Sequence, residues 1–299
     1  MDLILNFAPT GMIPTKEMTP YVPITVQEIV EDVHEAFEIG ITMVHLHARD
    51  RHTGDPTYKA EVYGDIIAGI RKFSRDLVIT VSLSGRNYNE FNKRTEVLQL
   101  CGDEKPDMGS LTLSSLNFNK QASVNSPDMI QAIAQEMLKR GIMAELEAFD
   151  NGMINYAKYL SGKGLIEPPF YFNLIFGNIA CAQADLLHSG IMLNDMPSRS
   201  LWSMGAVGDH QLRMNAITIA MDGGVRVGLE DNIWYDPART RLARNSDLVS
   251  RIHTIANANE RNVMKPAELR KVLHLENGHG RYGRIAGGDA DSSLNANRS

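Results

Sequence analysis

The stretch Thr25-Val26-Gln27-Glu28-Ile29-Val30-Glu31-Asp32-Val33-His34-Glu35-Ala36-Phe37-Glu38-Ile39-Gly40-Ile41-Thr42-Met43-Val44-His45-Leu46-His47-Ala48 holds one complete helix-to-strand step. Thr25 stands before Val26 with Glu28 three residues on, the reciprocal capping pattern that opens a helix. Helical spacing of apolar residues continues over 26–37, and Gly40 sits where the helix has to stop. The run 42–48 is short, apolar and partly β-branched, and it closes on Arg49-Asp50. That is a buried strand running out into a loop. Side chains two apart on a strand share a face, so the imidazoles of His45 and His47 point the same way. Two imidazoles at a strand end can hold a transition metal but need a third ligand. The best candidate is Glu230, far along the chain in Gly228-Leu229-Glu230-Asp231. A His, His, carboxylate set with one position open is a catalytic rather than a structural zinc site.

The same step recurs from end to end. Strand-like runs cover 3–8, 42–48, 77–83, 108–113, 143–149, 170–176, 201–207 and 225–229, with amphipathic stretches such as 60–73, 127–139, 152–161 and 211–221 between them. Ser126 before Pro127-Asp128 caps one helix, and Gly141 ends it. Strand and helix alternating about eight times predict a parallel sheet closed into a (β/α)8 TIM barrel, with a doubly wound open sheet as the rival. Closing helices over 247–258 and 266–275 complete a single catalytic domain over 1–275. Residues 276–299 are polar and rich in Gly, Asn and Ser, and read as a flexible tail or an arm that orders on a partner subunit, with His279 solvated.

Bulk properties narrow the function. The 299 residues are 43% hydrophobic and 22% charged, ordinary for a globular enzyme. A net charge of −6 offers no global basic field for nucleic acid or an anionic membrane. No basic leader precedes the first strand, and no apolar stretch approaches membrane-spanning length, so a cytoplasmic protein is expected. Cys101 and Cys181 lie far apart in sequence and read as buried free thiols in a reducing compartment.

Catalytic groups of such a barrel sit at the carboxyl ends of its strands. Thr10, His45, His47, Ser82, Ser84, Arg86, Thr112, Ser115, Glu145, Glu147, Asn173, Asp209, Arg226, Glu230 and Asp231 all fall there or on the strands themselves. Glu147 is open to several roles: a further metal ligand, a partner orienting a histidine, a substrate contact, or half of an interior ion pair. Arg226, Gly228 and Glu230 share one face, and Asp231 at the strand's exit can point into the mouth. An arginine beside that aspartate keeps it ionised and oriented, which suits a base next to a metal-bound carbonyl. Asp231 could instead cap the following loop. Ser82-Leu83-Ser84-Gly85-Arg86 offers hydroxyls and flexible backbone suited to a carboxylate, or makes a plain turn. Arg239, Arg241 and Arg244 could meet the phosphates of a large cofactor, or form a solvated charged face.

Four motifs together make the chain resemble the β-keto acid cleavage enzyme family: Ala8-Pro9-Thr10-Gly11, His45-Leu46-His47, Glu145-Leu146-Glu147, and Gly223-Gly224-Val225-Arg226-Val227-Gly228-Leu229-Glu230-Asp231-Asn232-Ile233. Leu116-Asn117-Phe118 matches as well, and the likeness runs in order to about Leu275. The resemblance, which takes in 3-keto-5-aminohexanoate cleavage enzymes, implies a zinc-dependent barrel that condenses a β-keto acid with acetyl-CoA, giving acetoacetate and a new acyl-CoA. It implies zinc ligands His45, His47 and Glu230, and Asp231 as base supported by Arg226. Ser82 and Gly85 would hold the keto-acid carboxylate, with Ser115 nearby and Glu147 around the metal. Homotetramers are usual in the family. Two positions depart from it. Ile13 stands where members with an amine-bearing substrate place a glutamate, so a neutral or anionic substrate tail is expected. Asp209 follows Gly208 where some relatives carry an arginine.

Other readings use the same residues differently. A zinc hydrolase of the amidohydrolase type also uses His-x-His but adds further strand-end histidines, for which only His188 and His210 are available. A class II aldolase leaves Arg226 beside Glu230-Asp231 unexplained. A ligand-binding barrel with a structural zinc predicts no turnover, and unfolding when metal is removed.

Overall fold

Short strands that are apolar on both faces need cover on both, and closing the sheet on itself inside a ring of helices supplies it. The protein does this in the computed structural model, which describes residues 2–278 and 280–284. The barrel strands are β1 (Leu5–Phe7), β2 (Met43–Leu46), β3 (Val78–Val81), β4 (Met108–Thr112), β5 (Met143–Ala148), β6 (Phe170–Phe176), β7 (Ser200–Ala206) and β8 (Gly224–Val227). Asn6 pairs in register with Arg226 on one side and Met43 on the other, so β1 closes the ring between β8 and β2. A doubly wound sheet is thereby ruled out.

Helices α1 (Val26–Ile39) and α2 (Ala60–Arg71) follow the first two strands, and a short α3 (Phe91–Arg94) with two 3-10 turns follows the third. Then come α4 (Pro127–Arg140), α5 (Asn151–Gly162), α6 (Leu186–Asp195), α7 (Gln211–Ala220), α8 (Asn245–Ala258) and α9 (Pro266–Leu273). The caps form as the residues dictate. Thr25 Oγ1 accepts from Glu28 N at 3.1 Å while Glu28 Oε2 accepts from Thr25 N at 3.0 Å. A feature not legible in the sequence is the hairpin Leu116–Asn117 with Ala122–Ser123, which stands over the barrel mouth after β4.

Strand parity sorts the side chains into layers. Odd-numbered positions of β1 and even-numbered positions of β2 (Leu5, Phe7, Val44, Leu46), like Ile79 and Val81 of β3, face the helices and fill the main core. The opposite parity faces the barrel axis. Its floor is apolar, made of Ile4, Met43, Val78, Met108 and Met143, with Leu269 and Leu273 of α9 beneath. Above that floor the interior turns polar at Asn6, His45, Thr80, Glu145, Asn173 and Arg226, all buried. This change from apolar to polar halfway up the axis positions the site.

The segment beyond 275, expected as a flexible tail or arm, is docked under the barrel as far as it is described. Tyr282 is fully buried, its ring facing the Arg71 guanidinium carbon at 3.8 Å and that of Arg270 at 5.4 Å. Both arginines reach the buried carboxylate of Asp107, at 2.8 and 2.7 Å, and Gly283 N donates to the same carboxylate at 3.2 Å. A buried carboxylate needs this many donors to offset its lost hydration. The expectations for His279 and for 285–299 lie outside the described residues. The cysteines are free as expected, but Cys101 is exposed and Cys181 only half-buried.

Candidate active site

His45 and His47 leave β2 on the axial face, as parity requires, and their Nε2 atoms face each other at 3.3 Å. Glu230 arrives from beyond β8, with Oε1 at 3.1 Å from His47 Nε2. It fits there because Gly11 has no side chain: a Cβ at Gly11 would stand 2.4 Å from Glu230 Cγ. The φ of +67° at Gly11 also suits glycine. Asn245 fixes the strand exits from behind, its Oδ1 accepting from Leu229 N at 2.9 Å and its Nδ2 donating to Pro9 O at 3.0 Å.

The donor set fits a divalent ion. One ligand atom from each of His45, His47 and Glu230 lies within 4.8 Å of the others. Tetrahedral coordination at about 2.0–2.1 Å per bond separates ligand atoms by about 3.3 Å, close to the observed 3.3 and 3.1 Å. Glu230 Oε2 is buried with no hydrogen-bond partner among the described residues, a costly arrangement unless something else meets it.

The structure narrows the roles left open to Glu147. Glu145, not Glu147, orients a histidine: His45 Nδ1 donates to Glu145 Oε2 at 2.6 Å. A carboxylate can only accept there, so Nδ1 carries a proton and Nε2 is the nitrogen left to face an ion. Glu145 Oε1 accepts from Asn6 Nδ2 at 2.8 Å and Asn173 Nδ2 at 3.2 Å. The network continues from Asn6 to the Tyr171 hydroxyl at 3.1 Å, which donates to Ser203 Oγ at 2.8 Å. Glu147, one layer nearer the mouth, accepts from Thr112 Oγ1 at 2.6 Å and lines the cavity. Asn6, Tyr171, Ser203 and Asn245 were not singled out from sequence. The available signal for the first three was a polar group at axial parity within a buried run.

Arg226 organises the other side. Its NH2 lies 2.7 Å from Glu230 Oε1, while Nε and NH2 donate to the two oxygens of Asp231 at 2.8 and 3.2 Å. Space for it comes from Gly205, where a Cβ would stand 3.0 Å from Arg226 Cβ. Asp231 therefore does not act as a loop cap. Burial works against ionisation of Glu230, yet Arg226 and the two imidazoles hold it well below the usual carboxylate range. Burial, with Glu230 adjacent, pushes Asp231 up despite Arg226. Burial likewise raises Glu147 and lowers His47. Against its own burial, His45 is lifted to about 9 by Glu145 and Glu230.

His47, Ser82, Arg226, Glu230, Asp231 and Glu147 line one cavity of about 490 Å³ at the carboxyl end of the barrel. Gly85 and Ser115 are not on its wall. A Cβ at Gly85 would meet Val124 O at 2.5 Å, and Ser115 Oγ accepts from Asn125 N at 2.8 Å in the hairpin's base. Ile13 and Arg86 do line the cavity. Asp209 holds Arg239 at its rim, at 3.0 Å. Arg241 pairs with Asp247 at 2.8 Å, and Arg244 stacks on Tyr21 at 4.0 Å, so two of the three basic residues are neutralised. His188 is half-buried outside the cavity and paired with Asp185, so it adds no ligand as a hydrolase site would need.

The barrel resembles the solved structure of ObcA in a ternary complex with a C4-CoA adduct and oxalate, with a TM-score of 0.76, 19% identity, and coverage of 86% of this chain and 68% of that one. At that identity the likeness concerns the fold. The 3-keto-5-aminohexanoate cleavage enzyme of Fusobacterium nucleatum is 34% identical over 92% of this chain and 98% of its own length. The 3-oxoadipate:acetyl-CoA acetyltransferase of Cupriavidus necator is 33% identical, over 91% and 94%. The 3-dehydrocarnitine:acetyl-CoA trimethylamine transferase of Rhizobium meliloti is 29% identical, over 92% and 97%. The family model for the beta-keto acid cleavage enzyme matches residues 2–275, and the chain belongs to that family.

Proposed function

We propose that this protein is a zinc-dependent acyltransferase that converts a β-keto acid and acetyl-CoA into acetoacetate and the acyl-CoA of the keto acid's remaining carbons. The observation that carries this reading is the pairing of a metal-ligand set, His45, His47 and Glu230, with a carboxylate held two-handed by Arg226 next to it. An ion bound there supplies Lewis acidity, drawing charge from the keto and carboxylate oxygens so that the carbon between them becomes acidic.

Asp231 takes the proton from that carbon; its raised pKa makes it a stronger base than an ordinary carboxylate. Arg226 keeps it aimed and stays charged throughout, being raised well above its usual range by Asp231 and Glu230 in spite of burial. The carbanion attacks the acetyl carbonyl, a carbon–carbon bond forms, and CoA thiolate leaves. The thiolate then adds to the former keto carbon, and the bond between that carbon and the acidic carbon breaks. Acetoacetate departs once its carbanion recovers the proton from Asp231, and the new thioester remains on CoA. Ser82, on the cavity wall, is suited to the keto-acid carboxylate, and Glu147 with Thr112 to the opposite face. The backbone of Gly85, and Ser115 through the hairpin, shape this wall from behind.

Ile13 in the cavity, where a carboxylate would receive a cation, disfavours an amine-bearing tail. A homotetramer is part of the proposal, supported by an exposed apolar strip of Ile179, Leu186, Leu187 and Ile191. Free cysteines support a reducing, cytoplasmic setting. Among the described residues no helix is long and apolar enough to cross a membrane. The test is acetyl-CoA consumption coupled to acetoacetate release over a panel of β-keto acids, with and without chelator. Turnover that is indifferent to chelation, or absent over the whole panel with metal present, would refute the reading.

A further inference from the structure

Arg86 follows Gly85 in the loop after β3 and lines the same cavity as Glu230 and Asp231. Its guanidinium carbon lies 3.6 Å from the centre of the Phe118 ring, and Phe149 extends that aromatic wall at 5.9 Å. Stacking holds the flat group in place but leaves its edge hydrogens unused. Nε is buried with no partner, and among the described residues Glu230 and Glu147 act on the group only at a distance. Lys120, on the hairpin, also lines the cavity and is exposed and positive, while the remaining charges are held within it. Arg226 is matched by Glu230 and Asp231, Arg239 by Asp209, and Glu147 is bonded to Thr112. The unpaired charge that the wall offers a ligand is therefore positive. The same cavity also has apolar lining in Met12, Ile13 and Leu116. A half-buried guanidinium without a counter-ion is costly, and its fork matches a carboxylate in two-point geometry.

We infer that Arg86 receives a carboxylate at the far end of the keto acid, so that the preferred substrates are β-keto dicarboxylic acids; this rests on the proposed function. The experiment compares 3-oxoadipate with 3-oxohexanoate, equal in carbon number, the one ending in a carboxylate where the other ends in a methyl, using metal-loaded wild type, Arg86→Met and Arg86→Lys with acetyl-CoA varied up to saturation. Methionine keeps the contact with Phe118 and removes the charge. The wild type should favour the diacid in kcat/KM, and Arg86→Met should lower that selectivity ratio by roughly a hundredfold, with partial recovery in Arg86→Lys. A wild type without preference overturns the inference while leaving the proposed function standing. Equal losses on both substrates, or a change confined to KM for acetyl-CoA, would place Arg86 at the other carboxylate or at CoA and also overturn it. Thermal shifts with adipate against hexanoate read the same anchor without turnover. A larger shift with adipate that Arg86→Met abolishes supports the assignment even if no keto acid is cleaved, and equal shifts refute it.

Discussion

Glu145 accepts hydrogen bonds from His45 Nδ1 at 2.6 Å, Asn6 Nδ2 at 2.8 Å and Asn173 Nδ2 at 3.2 Å. Replacing it by glutamine leaves the shape almost unchanged but turns one of its two acceptor ends into a donor. Whichever way the amide is placed, its NH2 then faces a group that also donates. The variant loses a charge-assisted bond worth about 1.5–3 kcal/mol, and His45 loses the carboxylate that raises the basicity of its Nε2. Loss of such a partner typically weakens metal binding by about 10–100-fold, or about 1.4–2.7 kcal/mol. The two figures agree, so most of the lost bond energy should appear as lost metal affinity. Competition against a chelator of known strength measures this in wild type and Glu145→Gln, with the melting temperature of both metal-free proteins recorded in parallel. Affinity within a factor of about two of wild type, with a lowered melting temperature, would refute the orienting role. Glu145 would then be only a polar member of the core.

Three further outcomes are expected. Asp231→Asn keeps the bonds an oxygen can accept from Arg226 but cannot take a proton, so kcat should fall by about 10³-fold or more; metal affinity close to wild type separates this from damage to the site, and full-speed turnover would exclude Asp231 as base. Asp107→Ala strands two buried guanidinium groups, Arg71 and Arg270, and the Gly283 amide, and should cost about 3–5 kcal/mol in chemical denaturation. A loss under about 1 kcal/mol would show that the docked segment around Tyr282 does not brace the barrel floor. Asp32, bonded to Asn245 Nδ2 at 2.7 Å, has its carboxyl raised to about 7 by burial, with Glu35 and Glu28 adding to this and Asn245 and Lys16 opposing it. Its folded-state pKa exceeds the unfolded value, so the folded form holds the extra proton and stability falls as pH rises from about 4 to about 7. Asp32→Asn should therefore gain on the order of 1–2 kcal/mol over wild type at pH 8 and nothing at pH 4; an equal gain at both would refute the linkage.

The sequence by itself determined whatever depends on neighbours along the chain. Period 3.6 and short β-branched runs alternate, so the barrel and its caps at Thr25 and Ser126 were legible, as was the shared face of His45 and His47. Motif order also carried the family, because Gly11, Gly223 and Gly228 leave no room for a side chain beside Glu230, Trp202 and the Ala8 carbonyl. Parity tells which face a residue takes but not how high it stands on the barrel axis.

Only the tertiary structure decided height, and with it role. The stagger between β2 and β5 sets Glu145 level with His45 and lifts Glu147 to the mouth, so the orienting part that alternation alone left open to Glu147 falls to Glu145. Partners a hundred residues apart, such as His45 and Glu145, are brought together by strand register, which no local pattern encodes. The same holds for Gly85 and Ser115, turned into the base of a hairpin, and for Tyr282, whose polar neighbours in sequence hide a ring seated between two arginines. Whether a charge is paired is likewise a property of the assembled barrel: Arg226 and Arg86 line the same cavity, yet one is neutralised by two carboxylates and the other waits for a ligand to bring its own.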